Sequence, residues 1–290
     1  MGEDEALAAT LNELRVPLTP FDLRRSFTMQ ALGAFDPTAV FASDTVFLKN
    51  LVSRGSVVTL RCEAREGELI VTGDGAALEA WSKWLPPDDG QAAFSPSNEK
   101  LAQLHRRLGG LRLLRVPWLF DIACGSVLQQ RIAFVDAVKQ FSRIAKTFGV
   151  RVGEGAAFPD GPTLAKVPIY ELQRLGVDAQ RARTLHMLAK SEAQRPFLSA
   201  ETSFDEVVRR LDLLPGIGPW TMGMIRGYGL GDPDATIVGD LGLPHLVCWA
   251  LAGEPRGTDE RMLQLLEPFR GHRFRVTRLL HAAGISVPRG

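Results

Sequence analysis

One carboxylate and one glycine-rich turn stand out among the residues that could do chemistry. The turn Leu214–Gly218 is followed by Pro219, which suits a helix start because its missing N–H would have no partner there. Gly216 and Gly218 lack a Cβ, so a large ligand can approach their backbone. Free N–H groups at a helix start attract phosphate. Asp240 then ends a glycine-rich loop. The pattern predicts a phosphate-binding turn with an acid downstream, although a bare GxG would equally fit an ordinary tight turn.

The complete string LPGIGPWT is far more specific than a pair of glycines. It resembles the hairpin of the helix-hairpin-helix (HhH-GPD) DNA glycosylases, most of all the 3-methyladenine DNA glycosylase II (AlkA) type. The spacing to the aspartate in IVGDLGL is that of the family's catalytic aspartate. Similar segments are SVLQQRIA, FPDGPTLAKVPIYELQRLGV and RVTRLLHAAG, so the resemblance covers most of residues 20–285. It implies a glycosylase of base excision repair.

Composition places few limits on that expectation. The 290 residues are 45% hydrophobic and 23% charged with a net charge of +1, which is ordinary for a globular protein. The chain has no apolar run long enough to cross a membrane and its acidic start is no secretory signal. Cys62, Cys124 and Cys248 are odd in number and far apart, which argues against a disulfide framework. We expect a cytoplasmic protein of the bacterial nucleoid, with no membrane and no obligate protein partner.

Two runs of basic residues contain no acid. They are RGHRFRVTR (270–278) and HRRLGGLRLLR (105–115). A solvated helix face explains most single runs. Two runs beside a phosphate-type turn favour a DNA-facing surface instead, on which Arg273 and Arg275 are the predicted contacts.

The first third of the chain has the pattern of a small antiparallel sheet. Ser56–Glu63 and Glu68–Thr72 are β-branched and joined by a glycine-containing loop, which predicts a hairpin. Phe21–Phe27 and Thr45–Phe47 are further strand candidates, and Ala76–Leu85 has helical spacing. Residues 1–16 suggest an amphipathic helix or a poorly ordered lead.

Pro86–Ser97 interrupts regular structure and marks the best domain boundary. We predict an α+β sheet domain at 1–90 and a helical catalytic domain at 91–290, with the helix-hairpin-helix at about 207–228. The resemblance implies the same layout. The predicted helices of the second part are Val127–Phe148, Thr163–Leu175, Ala179–Ala193 with Asp178 as N-cap, Ser203–Leu214, Leu243–Leu251, Thr258–Leu266 and Phe274–Ala283.

The resemblance assigns roles to four residues around a flipped base. Asp240 would stabilise the positive charge that develops on the deoxyribose; the alternative is an N-cap without chemistry. Trp220 would stack on an electron-poor alkylated base, unless it packs in the core. Met224 and Ala283 stand where relatives often have aromatic residues, which leaves the preferred base open. Phe27 or Met29 of the sheet domain could also contribute.

The resemblance also implies how DNA is held. A base must leave the duplex before its glycosidic bond can be reached. Gln130 matches the residue that enters the gap and Gln129 precedes it, although both could sit on an exposed helix start. A monovalent cation on the carbonyls of Leu214 and Ile217 is a further expectation. The predicted gripping residues are Leu214, Gly216, Ile217, Gly218 and Thr221.

Two absences complete the sequence prediction. Relatives that also cleave the strand carry a nucleophilic lysine directly after GxGx, where this chain has Trp220. The four-cysteine tail of iron–sulfur relatives is missing, and no histidine has zinc-ligand spacing. We therefore expect a monofunctional hydrolase without cofactor, acting on double-stranded DNA with alkylated bases such as 3-methyladenine or 7-methylguanine. The alternatives are another purine lesion, such as hypoxanthine or an oxidised purine, and a non-catalytic helix-hairpin-helix DNA-binding protein.

Overall fold

The structure, a computed structural model, describes residues 13–53, 55–85, 89–199 and 201–288. An antiparallel sheet of five strands comes first along the chain and a body of helices follows it. This order confirms the α+β arrangement that the sequence predicts. Among the helices of these residues, none is long and apolar enough to cross a membrane.

The sheet is formed by segments rich in β-branched residues. Its strands are β1 Glu13–Pro17, β2 Ala39–Phe41, β3 Val46–Ser53, β4 Ser56–Arg65 and β5 Glu68–Thr72. They lie in the order β1-β5-β4-β3-β2, and each neighbouring pair is antiparallel. The predicted hairpin is β4–β5, closed at Glu66 (φ 50°) and Gly67 (φ 84°). Positive φ at both central residues suits the twist of a two-residue hairpin turn.

Two predictions for this region are wrong. Phe21–Phe27 is not a strand but contains the short helix α1, Leu23–Ser26. Asp22 caps this helix by accepting the N–H of Arg25 at 2.9 Å, which satisfies a donor that a strand would have paired. Residues 13–16 belong to strand β1 rather than to a helical or disordered lead; the rest of that predicted lead lies outside the described residues.

The sheet and the helical body share one hydrophobic core. Trp81 lies on helix α2, Gly75–Ser82, and its ring centroid is 5.4 Å from that of Trp118 in the helical part. Phe27 lies 4.8 Å from Phe47 and 6.3 Å from Trp81. All four rings are at most 2% exposed. The proposed boundary near residue 90 therefore crosses a continuous core, and the division into two domains stays a prediction.

The helical body contains most of the predicted helices. Asp178, Ser203 and Thr258 cap three of them by accepting N–H groups of the first turn. The helices are α3 Glu99–Arg107, α4 Leu119–Leu128, α5 Phe134–Phe148, α6 Gly161–Leu164, α7 Ile169–Arg174, α8 Ala179–Gln194, α9 Phe204–Asp212, α10 Pro219–Met224, α11 Leu243–Ala252, α12 Asp259–Leu266 and α13 Arg273–Ala282.

Two predicted helices are interrupted. The segment Val127–Phe148 contains the end of α4 and all of α5, separated by a turn in which Arg131 has φ 57°. Thr163–Leu175 is divided between α6 and α7 at Pro168, which lacks the N–H that a continuing helix needs. A small hairpin of β6, Val150–Val152, and β7, Gly155–Ala157, interrupts the predicted all-helical body.

Candidate active site

The hairpin Leu214–Gly218 joins α9 to α10. Ile217 anchors it in the core with 8% exposure, whereas Gly216 and Gly218 are exposed. Gly216 has φ 92°, and a Cβ there would lie 2.1 Å from Thr184 Oγ1 of α8. Both the backbone conformation and the closeness of α8 therefore require glycine.

The start of α10 is open to a ligand. Gly218 is the N-cap, and within the described residues no side chain caps the N–H groups of the first turn. The N–H groups of a first turn have no partner within the helix. Pro219, the first residue of α10, has no N–H and so needs no partner. A Cβ on Gly218 would meet nothing within 4 Å, so the space in front of it is free. An anionic oxygen such as that of a phosphate fits this position.

Asp240 lies beside this hairpin, two residues before Gly242, the N-cap of α11. Its Oδ1 accepts the N–H groups of Gly242 and Leu243, both at 2.8 Å, and its Oδ2 accepts the indole N–H of Trp220 at 3.0 Å. Burial alone would raise the pKa of Asp240. The hydrogen bonds from Trp220, Leu243 and Gly242, with a smaller contribution from the charge of His281, outweigh burial and lower this pKa below its ordinary value. The carboxylate is thus held ionised mainly by neutral hydrogen-bond donors.

Trp220 is half-buried and points the polar edge of its ring at the catalytic candidate. It also packs against the core formed by the C-terminal helices. This position joins the hairpin to Asp240 through one hydrogen bond. Stacking of Trp220 on a base stays a prediction.

A narrow cleft, with a cavity volume of about 20 Å³, lies one helical turn further along α10. Met224 and Met29 line it together, so one predicted pocket residue and one candidate from the sheet side meet there. Ala283 does not line this cleft; it packs, half-buried, against the C-terminal core. Phe27 is fully buried among aromatic rings, so it cannot contact a base.

The cleft also has a polar wall that the sequence analysis missed. Lys49 Nζ lies 2.6 Å from Asp121 Oδ2 and 2.8 Å from Thr38 Oγ1, and Lys49 is only 2% exposed. Gln30 accepts the indole N–H of Trp118 at 2.7 Å on the same wall. One signal was available: in β3 the buried side chains alternate, and Lys49 occupies a buried position, where an unpaired lysine is rare.

The two glutamines follow the end of α4 instead of starting a helix. Gln130 Nε2 donates to the carbonyl of Gly216 at 2.9 Å and to Thr221 Oγ1 at 2.8 Å. Gln129 lines the cleft and bonds its own helix at Gly125. Gln130 would have to release the hairpin before entering a duplex, so its role as the inserted residue stays a prediction. The next residue, Arg131, is exposed.

The basic run at 270–278 is not a free basic surface. Arg275 is 1% exposed and lies 3.1 Å from the carboxylate of Asp89, so its predicted contact with DNA is wrong. Arg273 is less buried, but both its Nε and its Nη2 donate to Asp234. Arg278 is 4% exposed and donates to a backbone carbonyl of α1. The charges of this run therefore hold the C-terminal helix to its neighbours.

The predicted cation site has suitable donors but is not complete by itself. The carbonyl of Leu214 accepts the N–H of Ile217 at 3.1 Å, which leaves it one lone pair for a cation. In the described residues no three His, Cys, Asp or Glu side chains are grouped to hold a metal. The monovalent cation on the hairpin stays a prediction.

Fold, hairpin and carboxylate together define a class of DNA repair protein. The family model of the HhH-GPD superfamily of base excision DNA repair proteins matches residues 124–270, about half of the chain. The chain belongs to this superfamily.

Individual relatives agree with that assignment. A Mycobacterium tuberculosis protein, described as a probable bifunctional transcriptional activator/DNA repair enzyme AlkA, is 32% identical over 137 residues; these are 46% of this chain and 28% of that protein. The 3-methyladenine DNA glycosylase of Archaeoglobus fulgidus superposes with a TM-score of 0.74 at 21% identity, covering 94% of this chain and 99% of that one. The Clostridium acetobutylicum 8-oxoguanine glycosylase/lyase bound to DNA gives 0.66 at 15% identity, covering 91% and 93%. The chain thus spans just over a quarter of the curated relative, and the two solved structures establish the fold.

Proposed function

We propose that this protein is a DNA glycosylase that hydrolyses the N-glycosidic bond of alkylated purines, such as 3-methyladenine or 7-methylguanine, in double-stranded DNA. The observation that carries the proposal is the position of Asp240. Its ionised carboxylate is fixed by three neutral donors beside a hairpin whose helix start is open to phosphate.

The geometry supports a hydrolysis with a charged transition state. The N–H groups at the start of α10 hold a DNA phosphate, and the damaged nucleotide turns out of the duplex towards Asp240. As the bond from C1′ to the base nitrogen breaks, the base leaves with the electron pair and positive charge builds on the sugar. The fixed carboxylate lowers the energy of that charge. Water then forms the bond to C1′ and loses a proton, for which Asp240 still has a lone pair free.

We propose that the enzyme stops at base removal. A lyase step needs an amine nucleophile beside the sugar, and Trp220 occupies the place that the lysine has in bifunctional relatives. Lys49, the lysine of the cleft, is buried and bonded to Asp121. A duplex treated with the enzyme should therefore contain intact abasic strands, which break only after heating in alkali. Strand cleavage without alkali would contradict this step.

The polar wall of the cleft supports a second candidate substrate. An alkylated, positively charged base gains most from aromatic faces. The wall of this cleft is instead polar, with Asp121 and Gln30 beside the buried Lys49, and a polar wall suits a neutral purine with a polar edge. Hypoxanthine or an oxidised purine therefore remains the alternative.

One assay separates these candidates and also tests catalysis. Randomly methylated DNA and duplexes with hypoxanthine or 8-oxoguanine are incubated with the protein, and the released bases are identified by chromatography. We expect methylated purines from the wild type, and release reduced by about 10²- to 10³-fold or more for Asp240→Asn.

A matched control is Asp212→Asn, since Asp212 is an exposed carboxylate on the helix that precedes the hairpin. It should release bases like the wild type. If Asp240→Asn retains full release, the catalytic assignment is wrong. If the wild type binds DNA but releases no base from any substrate, the non-catalytic alternative is correct.

A further inference from the structure

Leu241 is the most exposed large apolar side chain in the described residues, at 94%. Single exposed apolar residues are normal on protein surfaces and need no explanation by themselves. Leu241 differs because it directly follows Asp240, the residue that must approach the sugar of the flipped nucleotide. The position of its backbone therefore determines which part of a bound DNA the Leu241 side chain can contact.

The backbone on both sides of Leu241 is held in place. The N–H of Gly239 donates to Asp259 Oδ2 at 2.9 Å, and the carboxylate of Asp240 accepts the N–H groups of Gly242 and Leu243. The turn that carries Leu241 is thus fixed by the same carboxylate that faces the sugar. An exposed side chain on such a turn keeps its position when a ligand arrives.

Glycines surround Leu241 on the open side of the site. Gly239 and Gly242 flank the Asp240–Leu241 pair and are exposed, as are Gly216 and Gly218 of the hairpin. A Cβ on Gly218 would meet nothing, and one on Gly242 would approach no atom closer than 3.8 Å. This rim lets a broad ligand come close to the backbone, and Leu241 projects from it.

We propose that Leu241 enters the DNA groove beside the flipped nucleotide and packs against the sugar and base edge of its neighbour. The proposal rests on the glycosylase function, because it requires the flipped sugar to lie at Asp240. Consecutive Cα atoms are about 3.8 Å apart, so a nucleotide in contact with Asp240 leaves its neighbour within reach of Leu241. Apolar side chains that enter DNA grooves favour unstacked, bent duplexes. Leu241 would thereby stabilise the extrahelical state.

The test uses binding as well as catalysis. The affinity of the full chain is measured for a duplex with a tetrahydrofuran abasic analogue and for the matching intact duplex, with 2-aminopurine placed beside the abasic position. Leu241→Ala should weaken binding to the abasic duplex by about tenfold, as expected for the loss of a buried leucine side chain. Binding to the intact duplex should change by less than about twofold, since little apolar contact forms there. In the complex of Leu241→Ala with the abasic duplex, the 2-aminopurine fluorescence should be lower than in the wild-type complex and closer to that of stacked DNA.

Two further variants make the result specific. Leu241→Met keeps apolar volume and should bind within about threefold of the wild type. Val57→Ala removes another exposed apolar side chain, on β4, where its cross-strand partner is Val52; it should have no effect. Leu241→Ala should also melt like the wild type, because the side chain is exposed in the free protein.

Equal binding by Leu241→Ala and the wild type would overturn the proposal even if methylated bases are released normally. A dimer in sedimentation that Leu241→Ala dissociates would also overturn it, because Leu241 would then face a second copy. If the wild type releases no base but Leu241→Ala still loses affinity for abasic DNA, the glycosylase function fails while the contact stands.

Discussion

Two helix–turn–helix segments of this chain share a backbone plan but differ in how their second helix begins. In the first, α7 and α8 meet at Gly176, and in the second, α9 and α10 meet at Gly216. The two glycines have φ of 94° and 92°. The following residue is buried in both, Val177 at 2% and Ile217 at 8% exposure. The sequence resemblance between LQRLGVDAQRAR and LDLLPGIGPWTM is faint, so the structural likeness is the firmer observation.

The difference lies at the N-cap of the second helix. Asp178 accepts the N–H groups of Gln180 and Arg181, at 2.9 and 3.1 Å, and so fills its own helix start. Gly218 holds the same position in the second segment and has no side chain to do so. A helix start that is already satisfied has no use for a phosphate, whereas an open one does. The comparison indicates that the residue at the N-cap, and not the backbone plan, decides whether the helix start is open to a ligand.

Exchanging these cap residues should have the largest effect. Gly218→Asp places a carboxylate where the phosphate is proposed to bind, so DNA affinity should fall by about 10²-fold through charge repulsion and loss of free N–H groups. The free energy of unfolding should rise by roughly 0.3 kcal/mol, because the helix gains a capping side chain in place of glycine. Binding titrations and urea unfolding measure both quantities on the same protein.

The reciprocal variant is the control for that exchange. Asp178→Gly should cost about 1–2 kcal/mol of stability, since it removes a cap and leaves buried Arg181 without its carboxylate partner. Its DNA affinity should stay within about twofold of the wild type, because this turn is not proposed to bind phosphate. If both variants lose DNA affinity alike, the two turns are equivalent and the role assigned to Gly218 is wrong.

Asp178 and Asp240 both accept N–H groups at a helix start but differ in their other partners. Burial would raise the pKa of Asp178, but its hydrogen bonds and the charge of Arg181 lower it, so this carboxylate is neutralised by a cation. The pKa of Asp240 is lowered as well, but mainly through hydrogen-bond donors that carry no charge, with a smaller contribution from the charge of His281. A carboxylate held ionised mainly by neutral donors suits a positive charge that develops on the sugar.

Trp220→Phe should reduce single-turnover base release by about tenfold at neutral pH, through loss of one hydrogen bond that orients the carboxylate. The ordinary pKa of an aspartate is about 3.9, and in the wild type the pKa of Asp240 lies below that value. The ionised carboxylate therefore contributes fully above the ordinary pKa, and its contribution is lost as the pH falls through the lower pKa of the folded protein. Removing the indole N–H raises this pKa. The acid limb of the pH–rate profile should therefore move to higher pH, and an unchanged limb would mean that Trp220 acts only through stacking or packing.

The sequence predicted the proximity of the hairpin and Asp240 better than the packing around them. LPGIGPWT and Asp240 are close in the chain, so local spacing was enough to relate them. Arg275 and Phe27 were misjudged because their burial depends on α13 and the sheet packing against distant segments, which no local pattern reports. The polar wall around Lys49 was missed for the same reason, since Asp121 is 72 residues away along the chain. The strand predicted at Phe21–Phe27 failed because one N-cap aspartate outweighed an apolar pattern.

The smallest expected effect again compares the two turns. Each glycine carbonyl accepts the side-chain amide of a glutamine: Gln140 to Gly176 at 2.6 Å and Gln130 to Gly216 at 2.9 Å. Gln140 also accepts from buried Arg181, so Gln140→Ala should lower stability by about 1 kcal/mol without changing DNA affinity. Gln130→Ala should instead lower affinity for damaged duplex by about threefold, because its amide supports the open hairpin and is the predicted residue in the DNA gap. If Gln130→Ala binds like the wild type and only its melting temperature falls, Gln130 supports the hairpin as Gln140 supports the other turn, and does not enter the duplex.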